Sequence, residues 1–508
     1  MKNFYRAFIA IFSILSLGLT SCSSDTTLTS ADTNQTAKTY VGLSISLPKS
    51  LSTTTRAGES ALPGDHNSNG TWGGRDVIKS ITTYMVGENS VVKTTYDKNL
   101  SIDKEGRIWP VITAKSEVGN VKAFVVINAN ENLTSALDKS LETPDEFVKL
   151  LGAEVEALAS ELATSKDSKD VIVMTNTVVP VNTAIEANVN EAAARSGKNK
   201  ISVSVERITS RGIVTIAALD QEVDVKNSRG EVVSNIKITK VEYGVGQSNQ
   251  AVYPIKKVDF ITPNSNLSWA DLNNKLDNSG LKGLFKSEVI ADKTKVLDAL
   301  TKETSAKYVL PLVHGEYFKG NTTFFEVRAT FEVEGKLADT GAPQTAEQKN
   351  LYLGMQDGKF YASRNLALGM GDEVTPEALA KGEYKQKVYT YVNNQMVYVM
   401  WLNPNNIPGS SAIKATESPV VRNQVYHAHI TGFKEIGVPY NPLNPEDPNI
   451  PTVPIDPTDP TKPVDPTEPV NPIDPTDPLQ NEDTYLSVEI EVLKWGVHSY
   501  ESDLGNDY

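Results

Sequence analysis

Between residues 439 and 478 a proline falls at every third position without a break, fourteen of the chain's 27 prolines. Proline fixes φ and has no amide hydrogen, so this stretch enters neither an α-helix nor the middle of a sheet. Polyproline II has three residues per turn, which puts every proline on one edge of a stiff, solvated rod. At about 3.1 Å per residue the 40 positions reach roughly 120 Å when fully extended. Asp447, Asp456, Asp459, Asp465, Asp474 and Asp477 keep the rod acidic. Such a stretch is a linker, and what it links decides the reading of the chain.

Beyond the rod lies Tyr485-Leu-Ser-Val-Glu-Ile-Glu-Val-Leu-Lys-Trp495. Leu486, Val488, Ile490 and Val492 alternate with Ser487, Glu489 and Glu491, the period of a half-buried strand. A single amphipathic strand is not stable alone; its backbone needs a sheet and its apolar face a groove. Trp495 is out of phase with the row by one residue and joins the same face only through a bulge at Leu493-Lys494. Near the other terminus, Val41, Leu43, Ile45 and Leu47 form a matching four-residue row before Pro48. The two rows suit equivalent grooves.

The residues in front of the first row form an address label. Lys2 and Arg6 precede an apolar run from Ala7 to Leu19, which is short for a membrane span and right for an export signal. The run ends in Leu19-Thr20-Ser21-Cys22, which resembles the bacterial lipobox, where cleavage before the cysteine precedes its acylation. Cys22 is the chain's single cysteine, so intrachain disulfides and cysteine-based metal knots are excluded. Residues 50–58 are polar and carry one arginine, Arg56, followed by Ala57. An exposed loop with an isolated arginine is a substrate for an Arg-specific protease.

The body between the rows reads as mainly β. Strand-like runs occur at 77–86, 121–127, 171–181, 201–205, 213–219, 236–243, 308–313, 324–333, 388–391, 396–402 and 420–430. In 324–333 Phe325, Val327, Ala329, Phe331 and Val333 point one way while Glu326, Arg328, Thr330 and Glu332 point the other, the pattern of a sheet packed on one face. Asn393-Asn394 is a hairpin turn signal. Thr143-Pro-Asp-Glu146 opens a helix whose stripe is Phe147, Leu150, Leu151, Val155, Leu158 and Leu162. Many short strands and few helices predict β-sandwich domains. The expected organisation is a signal peptide over 1–21, a propeptide over 22–56 with a plug strand at 40–47, and sandwiches over 57–211 and 212–438. An acidic Pro-rich arm (439–484) and a donor strand (485–508) follow.

With 63 acidic against 49 basic residues the chain carries a net charge of −14, which excludes a nucleic-acid partner. His427 and His429 face one side of a strand, without a third ligand nearby, and read as structural. Asp65-His-Asn-Ser-Asn-Gly70 with Asp76 fits most of a calcium loop, but the final Glu is an Asp and no helix precedes it. No metal or cofactor is assigned. No G-x-S-x-G elbow, phosphate loop or H-E-x-x-H site is present, so no catalytic residues are assigned and the chain is not read as an enzyme.

A mechanism follows from the two rows. If a protease cuts after Arg56, the N-terminal strand can leave its groove, and the C-terminal strand of another copy can replace it. Burying four aliphatic side chains is worth roughly 6–12 kcal/mol as an upper estimate. A head-to-tail contact that does not close builds a filament. The sequence leaves open which groove accepts the donor. The alternative from a different class is a monomeric surface lipoprotein that binds glycan through a sandwich face.

The lipobox, the prosegment ending at Arg56-Ala57, Trp401-Leu-Asn-Pro404 and Ser418-Pro-Val-Val-Arg-Asn-Gln-Val-Tyr-His-Ala-His-Ile430 resemble the fimbrillins of type V pili. The ending Val492-Leu-Lys-Trp-Gly-Val-His-Ser-Tyr500 after an acidic arm is similar to the minor-fimbrillin branch, the shaft subunits of short fimbriae in oral Gram-negative anaerobes. The resemblance implies two transthyretin-like sandwiches and a lipidated precursor on the outer membrane. It also implies maturation by an Arg-specific protease at Arg56 and polymerisation into a cell-surface fimbria. The implied partners are further copies, anchor and tip subunits, and host or bacterial surface ligands met in adhesion and biofilm contacts.

Overall fold

The computed structural model describes residues 39–47, 75–102, 107–167, 169–257, 260–292, 295, 307–402, 420–440, 455–456, 459–463, 473–479 and 496–504. It is mainly β, with short helices.

The first sandwich is a wrapped sheet in the order 91–96, 81–86, 119–127, 174–176, 200–207, 39–46, 112–116. Strand Lys200–Arg207 serves both layers. Its first half pairs with Thr39–Ser46 and its last three residues pair with Met174–Asn176. Between the layers lie Ile81, Met85, Val92, Ile112, Val121, Val125, Ile201, Val203 and the aliphatic row of 41–47. Helices Glu131–Asp138, Pro144–Leu151 and Ala159–Leu162 cover the outer face of 81–86 and 119–127 through Leu133, Leu137, Phe147 and Leu151 against Tyr84 and Phe124.

The single helix expected from Thr143 is two. Helix Pro144–Leu151 stops at Gly152, whose amide caps Leu150 and Lys149. Val155–Glu156 is a strand, and the helix resumes only at Ala159. Glycine costs about 1 kcal/mol in a helix interior, while the stripe residues Phe147, Leu151, Val155 and Leu162 stay buried across the break. The expected strand 171–181 is also shorter. It ends at Asn176, and Val178, Val179 and Val181 are more than 60% exposed on the loop that follows.

The chain passes from Arg207 to Ser210 directly into the second sandwich. One sheet runs 288–289, 210–216, 424–433, 496–504, with the last three mutually parallel. The facing sheet runs 222–226, 232–246, 324–334, 395–401 and is antiparallel. Val214, Ile216, Tyr426 and Ile430 meet Ile238, Tyr243, Phe325, Val327, Phe331 and Tyr398 between them. The two bodies are not cleanly separated in sequence. Ala251–Val252 pairs with Val155–Glu156, and Val252, Ile255 and Leu310 join the helix-covered core of the first sandwich.

Strand 324–334 carries the alternating code toward the core, but Glu326 and Arg328 on its other face are buried too and form an ion pair of 2.6 Å. Asn393 and Asn394 both have positive φ, as a tight hairpin turn requires. The strands they join nevertheless diverge. Val388–Val392 pairs with 350–354, and Gln395–Trp401 pairs with 324–330.

Candidate assembly site

Strand Thr39–Ser46 lies inside the first sandwich. It runs parallel to 200–204, with Gly42 opposite Lys200 and Ile45 opposite Val203. On its other edge it runs antiparallel to 112–116, with Val41 opposite Ala114 and Leu43 opposite Ile112. Exposure is 0% at Val41, 1% at Leu43 and Ile45, and 9% at Leu47. The row expected from sequence is thus an internal strand with two backbone ladders and its aliphatic face in the core.

Its ends are fastened by backbone and amide groups. The Tyr40 amide donates to Val189 O at 2.9 Å, and the Val189 amide donates to the Thr39 hydroxyl at 3.0 Å. The Asn199 side-chain amide donates to Tyr40 O at 3.1 Å and to Glu186 O at 2.9 Å. Helix Glu191–Arg195 crosses the outer side of the strand. Asn190 caps it through the Ala193 amide at 2.8 Å. The Glu191 carboxylate accepts from Arg195 at 2.6 Å and from the Thr113 hydroxyl at 3.1 Å. The hydrogen bond from Arg195 holds the Glu191 carboxyl below its ordinary pKa. Beneath this helix the strand carries Gly42, the one outward position that is buried. Sequence reasoning passed over Gly42, because a glycine in an alternating strand reads only as a weak spot; its meaning depends on a helix 150 residues away.

Cys22, Arg56, Ala57 and most of the 65–76 loop lie outside the described residues. Asp76 is described, and its carboxylate is engaged by Arg207, with Nε at 3.0 Å, so the twelfth position of the calcium pattern is committed to an ion pair. Its neighbour Arg75 pairs with Asp170 at 2.9 Å, and Arg211 from the second sandwich reaches the same carboxylate at 3.1 Å. Burial alone would raise Asp170, but the two guanidinium groups outweigh it and its carboxyl titrates below the usual range. Glu206 and Arg422 pair across the same junction at 3.0 Å.

His427 and His429 do face one side, with ring centroids 6.1 Å apart. Both converge on the Thr215 hydroxyl at 2.8 Å, His427 through Nε2 and His429 through Nδ1. Among the described residues no cluster of three metal-ligating side chains occurs.

The row expected to act as donor, Leu486, Val488, Ile490, Val492 and Trp495, lies outside the described residues. The strand that follows it, Gly496–Leu504, is described. It pairs parallel with Gln424–Phe433 of its own chain and, among the described residues, forms the edge of that sheet with a single ladder.

The arm departs from the expected uninterrupted rod. Val438 and Tyr440 are buried, with Tyr389 packed against them. Residues 455–456 and 459–463 form a two-stranded ladder. Ile473 and Leu479 are buried against Leu281, Tyr317, Phe324 and Trp401. The Lys319 amide donates to Asp477 O at 2.9 Å, Gly320 to Pro475 O at 2.8 Å, and the Leu479 amide to Tyr317 O at 3.1 Å. Between the two anchors Asp474 Oδ1 accepts from the Thr476 amide at 2.8 Å, closing a turn. The proline period is real, but aliphatic anchoring and an Asx turn outweigh the polyproline preference here.

A family model described as "Major fimbrial subunit protein type IV, Fimbrillin, C-terminal" matches residues 389–501. Two sequences of the minor fimbrium subunit Mfa1 of Porphyromonas gingivalis are each 31% identical over 507 residues, spanning 96% of this chain and 97% of theirs. Among solved structures, a FimA fimbrillin of Porphyromonas gingivalis W83 overlays with a TM-score of 0.38 at 11% identity, over 92% of this chain and 99% of that one. The tip fimbrial protein Mfa3 of the same species gives 0.32 at 11% identity, over 77% of this chain and 92% of that one. The two Mfa1 sequences, at 31% identity, carry the family. With nearly the full length of both chains aligned at that identity, the chain belongs to the fimbrillin family of fimbrial subunits.

Proposed function

We propose that this chain is the shaft subunit of a cell-surface fimbria and that it polymerises by exchange of strands between copies. Its relatives are fimbrial subunits rather than enzymes, and the site described above holds strands, not chemistry. In this reading Cys22 carries the lipid of an outer-membrane precursor. An Arg-specific protease then cuts between Arg56 and Ala57. Residues 39–47 are afterwards held only by non-covalent contacts and leave, and the C-terminal row of a neighbouring copy takes their place. Anchor and tip subunits complete the fimbria, which supports adhesion and biofilm contacts.

The observation that carries the reading is the position of Thr39–Ser46 between two strands with Val41, Leu43 and Ile45 fully buried. Its loss opens an internal slot, with two unpaired backbone edges and an apolar floor. The C-terminal segment on its own chain has one ladder, through 496–504. The row Leu486–Val492 precedes that ladder, and on entering the slot its backbone gains partners on both edges. Net hydrogen-bond contributions of about 0.5–1.5 kcal/mol each favour the move, as does the aliphatic burial. Before cleavage the tethered plug competes at very high effective concentration, so the precursor stays monomeric.

Arg56→Ala tests this. The variant is expected to remain a lipidated monomer, with no fibres by electron microscopy and no ladder resistant to denaturing gels. The processed wild type is expected to begin at Ala57 and to show both. Fibres from the uncleaved variant would defeat the plug role.

A further inference from the structure

The slot that holds residues 39–47 is not uniformly wide. A Cβ placed on Gly42 would lie 2.3 Å from the Ala194 carbonyl oxygen and 3.1 Å from its carbonyl carbon. Both are backbone atoms, so no rotamer change relieves the contact. The helix that bears them is fastened on the spot. Its Glu191 holds the hydroxyl of Thr113, the residue directly opposite Gly42 on the neighbouring strand. The other outward positions, Tyr40, Ser44 and Ser46, are half-buried and carry ordinary side chains. Position 42 alone screens for size.

We propose that this constriction sets the register and the direction in which a second copy's C-terminal row enters the slot, with Ser487 as the residue that takes the place of Gly42. The proposal rests on the strand-exchange reading above. The row's outward residues are Tyr485, Ser487, Glu489 and Glu491. Entering in the plug's own direction, Leu486, Val488, Ile490 and Val492 occupy the places of Val41, Leu43, Ile45 and Leu47, and Ser487 stands under Ala194. Entering reversed, the same four aliphatic residues fill the same four places, but Glu491 stands there. A slip of two residues brings Tyr485 or Glu489 to the constriction. Only one arrangement fills all four apolar places and puts the smallest outward side chain at the narrow point.

Even serine is not free of cost. Contacts under 3.0 Å are essentially never seen for a real Cβ, so helix 191–195 must yield by at least 3.0 − 2.3 = 0.7 Å to admit it. The slot is therefore cut for the plug's glycine. It discriminates against the donor while the plug is present and accepts it once the plug has gone.

Full-length chains carrying Glu491→Cys, mixed with chains carrying either Ser204→Cys or Lys200→Cys, give the test after Arg-specific processing. In the proposed arrangement Glu491 occupies position 46, whose neighbour is Ser204; in the reversed one it occupies position 42, whose neighbour is Lys200. Oxidation is expected to link E491C chains to S204C chains and not to K200C chains. The opposite pattern overturns the proposal, as do fibres that crosslink with neither. Failure of processed wild-type chains to form fibres would instead count against strand exchange itself. A second arm varies the tail row at Ser487. Ser487→Gly is expected to speed polymerisation, and Ser487→Leu to slow it by about tenfold, the scale of an overpacked contact. Equal rates for serine, glycine and leucine overturn the proposal.

Discussion

At the scale of single residues, the outward face of strand 424–433 holds a polar group that sequence could locate but not weigh. His427 and His429 were legible as a same-side pair from their spacing. That both would be buried and share one hydroxyl, Thr215, depends on a parallel neighbour more than 200 residues away. Burial, with His429 adjacent, holds His427 well below the ordinary histidine pKa of 6.5. The folded chain thus keeps this ring neutral where the unfolded chain protonates it. Stability from this site is present above about pH 6.5 and falls as the pH drops below it, because the unfolded state then binds the extra proton. The slope approaches about 1.4 kcal/mol per pH unit for one proton. His427→Gln, which keeps a polar group near Thr215, is expected to flatten the fall in urea midpoint between pH 6.5 and 5. A variant as acid-sensitive there as wild type would mean that the ring is not the group responsible.

At the scale of elements, alternation was a good guide where one face meets a core and a poor one where contacts from elsewhere intervene. The strand Thr39–Ser46 and the inward face of 324–333 were legible because period-two burial is local. Glu326 and Arg328 do face away from that core, but their burial there was not legible, because nothing in their own strand announces a cover. The arm shows the same limit. Its proline period is visible at once, yet aliphatic residues such as Ile473 and Leu479 have no place in a solvated rod and mark where it binds. The docked segment has a checkable geometry. Phe318 and Pro478 form an antiparallel bridge flanked by the bonds Lys319 N to Asp477 O and Leu479 N to Tyr317 O. That is a non-hydrogen-bonded pair, in which Cα atoms stand about 4.5 Å apart, inside the range a disulfide tolerates. The double variant Phe318→Cys/Pro478→Cys is expected to close an intrachain disulfide in the folded protein. It would be seen as faster migration on non-reducing gels that dithiothreitol reverses. A folded protein whose two introduced thiols stay free under oxidant would show that the arm does not rest on this surface.

At the scale of the whole molecule, a fimbrial subunit is only as stiff as the joint between its sandwiches. The two sandwiches meet through groups that are charged and buried. Asp170 of the first accepts from Arg75 and from Arg211 of the second, and Glu206 pairs with Arg422. Residues 251–255 cross over to complete the helix-covered core. Asp170 lies at the centre of this junction. Replacing it with a neutral amide leaves two buried guanidinium groups without their carboxylate, a loss of about 3–5 kcal/mol by analogy with other broken buried pairs. Because the carboxyl is held below its ordinary value of 3.8, its contribution is present at neutral pH and lost only as the pH falls below about 4. Asp170→Asn is therefore expected to behave at pH 7 as the wild type does in strong acid. Its calorimetric transition should move down and split as the sandwiches uncouple, while the acid limb of its stability curve becomes shallower. A single transition at the wild-type temperature would show that the crossover of 251–255, and not the charge cluster, holds the two bodies together.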